Sequence, residues 1–352
     1  MRSIAALLLV ASAPCVLADT SVAQTVHFHE DFESGFSRWT MSGIWQPQSA
    51  SGPCTAAAVP FPSGTNCVWF GSPASCNFQI LDVWPFFHLR CNEALSLPET
   101  DGVLELRFRS FSGGEDDGIW DTRKPQISVD GGGSWTSLAT VFSSDRWLHE
   151  RFDISRFAGQ TILLRFEFWI GDDAWNNFLG WLIDDIQIVE HAGPAVEQCA
   201  GDGTWYACPC GNNGGPGRGC ASSFNPAGAR ITASGTASLA NDTLLFAMDG
   251  MSAAAATIVQ GATFNHAYWE GGTFGGDGRV CVGTPYVRIR TLPAPGGAAS
   301  YPAPREVPIS VRGGVTLPYT TRTYAVRYRN AASFCTGYVF NATNTLQLTW
   351  RP

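Results

Sequence analysis

No part of this 352-residue chain repeats its apolar residues at helical spacing over a useful length. They recur instead at every second position in short runs, separated by Gly, Asp and Ser. In the run 103–109, Val103, Glu105, Arg107 and Arg109 oppose Leu104, Leu106 and Phe108, the pattern of a half-buried strand. Comparable runs occupy 26–33, 126–129, 147–154, 161–168 and 180–188. Short strands at this spacing, with turn residues between them, predict an antiparallel β-sandwich. The 38 Gly and 21 Pro make the chain rich in turns, while 45% apolar residues favour a folded β-rich protein over disorder. The length predicts two domains, and His191-Ala192-Gly193-Pro194-Ala195 reads as the boundary: a β-sandwich over 19–193 and a disulfide-stapled β-sandwich over 194–352.

Residues 1–18 read as a secretory signal, with Arg2 before an apolar core at 4–10 and Val16-Leu17-Ala18 as the cleavage site. The mature chain is then expected to start at Asp19. The apolar run is too short to span a membrane. Of the eleven cysteines, Cys15 falls in the signal. Four lie early (Cys54, Cys67, Cys76, Cys91) and six late (Cys199, Cys208, Cys210, Cys220, Cys281, Cys335). Even numbers in each half of an exported chain predict disulfides within each half, with the pairing open. Cys208-Pro209-Cys210 could bind zinc, but export favours disulfides there. Charge divides the chain as well: −13 over 19–193 and +4 over 194–352. With a net charge of −8, no nucleic-acid partner is expected.

The stretch 180–188, Gly-Trp-Leu-Ile-Asp-Asp-Ile-Gln-Ile, reads as a closing strand. Strict alternation places Leu182, Asp184, Ile186 and Ile188 on one face, and Trp181, Ile183, Asp185 and Gln187 on the other. A carboxylate among apolar side chains is costly unless something pairs with it. A hard cation with oxygen ligands answers that need, and Ca2+ is the expected cofactor.

Three pieces in order carry a family likeness: Asp31-Phe32-Glu33-Ser34-Gly35, Ser128-Val129-Asp130-Gly131-Gly132-Gly133-Ser134-Trp135, and the 180–188 strand. Asp153-Ile154-Ser155 and Ala158-Gly159-Gln160 fit the strand–turn–strand before the last piece. Over about 26–190 the chain resembles the jelly-roll modules related to MAM domains and to the non-catalytic domain of immune-inhibitor-A-type peptidases. The full MAM cysteine pattern is absent, so the likeness is to the broader group. It implies a jelly roll whose first and last strands lie side by side, and a structural Ca2+ near that junction. Glu33, Asp184 and Asp185, with Asp117, are the implied ligands, and the implied role is adhesion or glycan binding. The middle piece also matches the Asp-box pattern, a hairpin in which Asp130 accepts backbone N–H groups and Trp135 packs beneath. One copy without a propeller repeat argues against a sialidase. Residues 199–352 resemble an uncharacterised Cys-rich β-domain of secreted proteins from planctomycete-like bacteria, through the 208–214 and 328–335 segments, and no function transfers.

Two loops combine acids with an aromatic ring, 115–120 and 171–178. Sugars stack their C–H face on aromatic rings while carboxylates and amides take the hydroxyls, and such sites sit on loops held by a rigid scaffold. Trp120, Trp175, Asp172 and Asn176 are therefore the candidate ligand-binding residues. No HExxH or GxSxG motif is present. A glycosidase needs an acid and a base at fixed spacing, which is not legible here. In the second half, strands are expected at 230–233, 243–248, 256–260, 286–290, 309–312, 323–329 and 345–350, with Arg288, Arg290, Arg327 and Arg329 on an outer face. The expected product is a secreted bacterial protein, extracellular or at the cell surface, binding a glycan or cell-surface polymer without catalysis. The alternatives are a glycan-acting hydrolase and a structural surface component.

Overall fold

The computed structural model describes residues 24–55, 61–79, 86–115, 120–204, 207–262, 273–331 and 334–352. The expected signal segment and Asp117 lie outside these.

The first half is a two-sheet sandwich. Its strands are β1 (Gln24–Glu30), β2 (Trp39–Met41), β3 (Trp45–Ser49), β4 (Asn66–Phe70), β5 (Phe86–Cys91), β6 (Leu95–Ser96), β7 (Val103–Gly113), β8 (Thr122–Ser128), β9 (Thr136–Ser137), β10 (Ser144–Asp153), β11 (Thr161–Trp169) and β12 (Gly180–His191). One sheet runs β10-β7-β12-β4-β3, with β1 also on β12; the other runs β2-β5-β11-β8-β9, with β6 also on β11. First and last strands therefore lie side by side, from Gln24 opposite His191 to Glu30 opposite Ile186. The alternating runs predict this layout because each strand sends every second side chain inward. Leu104, Leu106 and Phe108 meet Leu164, Phe166 and Phe168 in one core. The 128–135 hairpin forms as expected: Asp130 Oδ1 accepts the Ser134 N–H at 2.9 Å and Oδ2 the Ser134 hydroxyl at 2.6 Å.

In β12 strict alternation fails. The pairing of β12 with β7 slips between Asp184 and Gln187, and Asp185 adopts φ +51°. This β-bulge adds one residue and reverses the side-chain phase after it. Trp181 and Ile183, and then Ile186 and Ile188, all face the sandwich core. Leu182 instead joins Cys67 and Trp69 in a separate outer cluster. The grouping of Asp184 with Ile186 and Ile188 is thus corrected.

The early cysteines also depart from expectation. Cys54 and Cys76 are bridged, whereas Cys67 and Cys91 are free thiols. Cys67 lies on β4 and Cys91 on β5, in different sheets and fully buried in different clusters, so they cannot meet. The late six pair completely: Cys199–Cys281, Cys208–Cys220 and Cys210–Cys335. Cys208 and Cys210 belong to different bridges, which excludes a zinc site there.

The second half comprises β13 (Val196–Gln198), β14 (Arg230–Ser234), β15 (Leu245–Asp249), β16 (Ala255–Gly261), β17 (Thr273–Gly275), β18 (Gly278–Val280), β19 (Tyr286–Pro293), β20 (Ala299–Tyr301), a one-turn helix α1 (Ile309–Arg312), β21 (Thr320–Arg329), β22 (Phe340–Ala342) and β23 (Thr345–Trp350). The sheet β13-β23-β21-β16-β19, with β22 on β21, packs on the sheet β14-β15-β20. Ile258, Val326 and Leu348 of the first face Ile231, Phe246 and Met248 of the second. The segment 309–312 is helical rather than extended. Four residues carry no readable period, and Asp242 Oδ2 accepts the otherwise orphaned Ser310 N–H at 2.8 Å. Arg288, Arg327 and Arg329 are exposed as expected, while Arg290 pairs with Glu306 at 3.1 Å.

The halves meet through a buried polar layer. Glu105 on β7, fully buried, accepts from Arg151 Nε at 2.8 Å and Nη2 at 3.1 Å, and His191 Nε2 stands 2.9 Å away. Arg151 Nη1 reaches the Glu197 carbonyl at 2.6 Å, and Arg351 donates to the carbonyls of Thr100 and Gly102.

Candidate functional site

The outer face of the β2-β5-β11-β8-β9 sheet carries a close grouping of ligand-competent side chains, and pairing register arranges it in rows. On β11 the core takes Leu164, Phe166 and Phe168, so Arg165, Glu167 and Trp169 point outward. Opposite them on β5 stand Arg90, His88 and Phe86, and on β8 Gln126, Lys124 and Thr122.

One row is aromatic. Phe86 and Trp169 lie with centroids 6.0 Å apart and planes 19° from parallel. Trp120, two residues before Thr122, continues the row at 6.5 Å and 21° from Trp169. Phe86 is 57% exposed. Trp120 also packs on Gly171, where a Cβ would come within 2.5 Å of its ring, so only glycine admits this approach.

The next two rows are polar and hold one another in place. Glu167, 7% exposed, accepts from His88 Nε2 at 3.2 Å, Gln126 Nε2 at 3.1 Å and Arg165 Nη2 at 3.2 Å. Arg165 Nε donates to Gln126 Oε1 at 2.6 Å, and its guanidinium lies 4.1 Å over the Trp135 ring. Lys124 and Arg90 make no hydrogen bond or ion pair among the described residues. Aromatic faces next to fixed donors on a rigid sheet are what a sugar requires: a C–H face to stack and hydroxyls to satisfy.

The structure brings the two loops together at Gly171 but gives the residues expected to bind ligand different roles. Trp120 belongs to the aromatic row. Trp175 is 69% exposed on the loop that leaves β11 through Gly171. Asn176 is 2% exposed and its Nδ2 donates to the Asp172 carbonyl at 2.8 Å, while Asp172 Oδ1 accepts the Ala174 N–H at 2.9 Å. Those two side chains shape the loop. Next to Trp120, burial pushes the Asp121 carboxyl up to about 7, and its Oδ1 takes the Gly171 N–H.

Three of the expected calcium ligands lie close together: one 63–66 turn holds both Asp185 and Glu33, and the charges of Asp185, Glu33 and Asp31 all act on Asp184. All of Glu33's accepting capacity is used: Oε1 takes the N–H groups of Thr65 and Asn66, and Oε2 the Thr65 hydroxyl and the Asn66 amide. Asp185 Oδ1 accepts from Ser63 at 2.7 Å. Asp184 is fully buried; Oδ1 takes the Asp185 N–H and Oδ2 has no partner. Burial, then the neighbouring charge of Asp185, pushes its carboxyl up to about 8. Among the described residues no group of three or more His, Cys, Asp or Glu side chains could hold a metal ion. Glu33 has no lone pair left for an ion and Asp117 lies outside the described residues, so the unpartnered Asp184 oxygen is the open donor among the described three.

Phe86, Trp169, His88 and Glu167 were not singled out by sequence. Trp169 had a signal, since it continues the outward phase of Arg165 and Glu167. Phe86 had none, because its place depends on pairing with Trp169 on a strand distant in the chain.

No protein-family model matches the chain, and no curated protein matches it. Several solved structures are similar to it. The K2 cleaved adhesin domain of Lys-gingipain is 18% identical, over 47% of this chain and 97% of that one, with a TM-score of 0.30. The module TmCBM61 in complex with beta-1,4-galactotriose is 21% identical, over 45% and 92%, at 0.28. The CBM22-1 xylan-binding domain from Paenibacillus barcinonensis Xyn10C is 17% identical, over 49% and 97%, at 0.30. At these scores the likenesses carry no functional weight.

Proposed function

We propose that this protein binds an extracellular glycan without catalysis, on the outer face of the β2-β5-β11-β8-β9 sheet. The observation that carries this is the row Phe86–Trp169–Trp120 beside the interlocked His88, Glu167, Gln126 and Arg165. Lys124 and Arg90 supply donors toward ligand hydroxyls, and Trp175 offers a further exposed ring on the loop that follows β11. Hydrolysis of a glycosidic bond needs two carboxylates. These rows contain one, Glu167, and it is committed to three donors. Four disulfides and the 1–18 segment support export to an oxidising compartment. No helix of the described residues is long and apolar enough to cross a membrane.

Calcium belongs to the proposal in reduced form. Asp184 and Asp185 would hold the ion, which would neutralise their charge, with carbonyls and water completing the six to eight oxygens Ca2+ takes. Glu33 braces the 64–66 turn instead.

The test is a glycan array on the purified full chain. Retention of particular polysaccharides, without their turnover, is the expected result. Cleavage of a retained glycan would favour the hydrolase reading, and retention of none would favour a structural surface component.

A further inference from the structure

A cavity of about 320 Å3 opens between the two halves, away from the aromatic row. Arg109, His149 and Arg151 line it from the first half, and Glu197, Asp202 and Thr204 from the second. Most of its ionisable groups are already committed. Arg151 gives all three nitrogens to Glu105 and to the Glu197 carbonyl. Glu197 Oε1 is held by Arg230 Nη2 at 2.7 Å. Asp202 Oδ1 accepts the N–H and hydroxyl of Thr204, and Oδ2 the Gly217 N–H.

Two groups remain. Arg109 forms no hydrogen bond or ion pair among the described residues, although Asp184 lies opposite it across the β7–β12 ladder. His149, opposite it on β10, has no hydrogen bond either. Burial, then the guanidinium groups of Arg109 and Arg151, holds its imidazole down to about 3, so it is neutral at ordinary pH. A partly enclosed, uncommitted guanidinium beside a neutral imidazole suits an oxyanion: the planar fork matches a carboxylate and the ring adds one N–H. The volume suits one sugar ring, at the small end of ligand cavities.

We propose that this cavity takes the carboxylate of a small hydroxyl-bearing acid, a uronic acid in size, on Arg109 and His149. The site does not depend on the glycan-binding face.

Isothermal titration calorimetry of the full chain with sodium D-galacturonate, D-galactose and sodium acetate tests this. Galacturonate is expected to bind, acetate more weakly and galactose not measurably. Arg109→Gln should weaken galacturonate by at least about tenfold. Thr204→Trp, at an exposed rim position, should do the same by filling the opening, and decides the matter if the arginine variant fails to fold. Val129→Ala, at an exposed position outside the cavity lining, should leave galacturonate affinity unchanged. Equal binding of galactose, no binding of galacturonate, or unaltered affinity in either cavity variant would overturn the proposal.

Discussion

The backbone N–H of Asp185 donates to the Oδ1 of Asp184 at 2.8 Å and closes the bulge that turns β12 over. Asp185 holds φ +51°, a left-handed conformation that costs a residue with a Cβ about 1–3 kcal/mol. Asp tolerates it better than most, and Ser63 anchors its side chain. Asp185→Gly should therefore stay within about 1 kcal/mol of the parent, whereas Asp185→Val should fall about 1–3 kcal/mol below the glycine variant. Urea midpoints compare the three directly; an equal midpoint for Gly and Val would contradict the bulge.

That bulge also marks where the sequence stopped being readable. Period-two alternation located β7, β10, β11, the end of β8 and the first part of β12, because their apolar side chains alternate there. It failed at Asp185, since one inserted residue reverses the phase without changing composition. Trp120 was legible as a ring on a loop, but its partners Trp169 and Phe86 arrive by long-range pairing. Asn176 looked like a ligand because an exposed amide and a buried loop pin have the same letter. The late disulfides were countable, while Cys67 and Cys91 were not separable from bridged cysteines until Cys67 fell in the outer cluster and Cys91 in the core.

Those two thiols give a second expected outcome. Both are fully buried, and burial pushes each thiol up. A chain beginning at Asp19 should show no thiol reacting with Ellman's reagent when native, and two when denatured without reductant. Zero thiols after denaturation would mean that the early four cysteines form two bridges.

The buried polar layer between the halves is expected to limit stability in acid. Burial alone would raise the Glu105 carboxyl, but His191 and Arg151 outweigh it and hold the group down to about 2. A depressed carboxyl contributes stability that is present above its unfolded value near 4.5 and is lost as pH falls through that value toward 2. Glu105→Gln leaves Arg151 without its charge partner and should cost about 3–5 kcal/mol at pH 7. It should also flatten the fall in Tm between pH 5 and about 2. A variant whose Tm keeps the parent's acid slope would remove Glu105 from this role.

Calcium is testable by melting. Ligand at one hundred times Kd stabilises the folded state by about 2.7 kcal/mol, several degrees in Tm for a domain of this size. Added Ca2+ should raise Tm, EGTA should reverse it, and Asp184→Asn should abolish the response while Glu33→Gln lowers Tm with or without Ca2+. A parent indifferent to Ca2+ leaves Asp184 as a buried carboxylic acid with no cation.

The outer-face reading is tested most directly by affinity electrophoresis in whichever polysaccharide the parent retains, comparing Trp169→Ala with Val129→Ala. Trp169 sits at the centre of the aromatic row, and Val129 is an exposed residue on the hairpin beyond β8. Truncating the central ring is expected to weaken retention by about tenfold to a hundredfold, the cost of an aromatic hot spot, with Val129→Ala unchanged. Parent-like retention of Trp169→Ala would contradict glycan binding on this face.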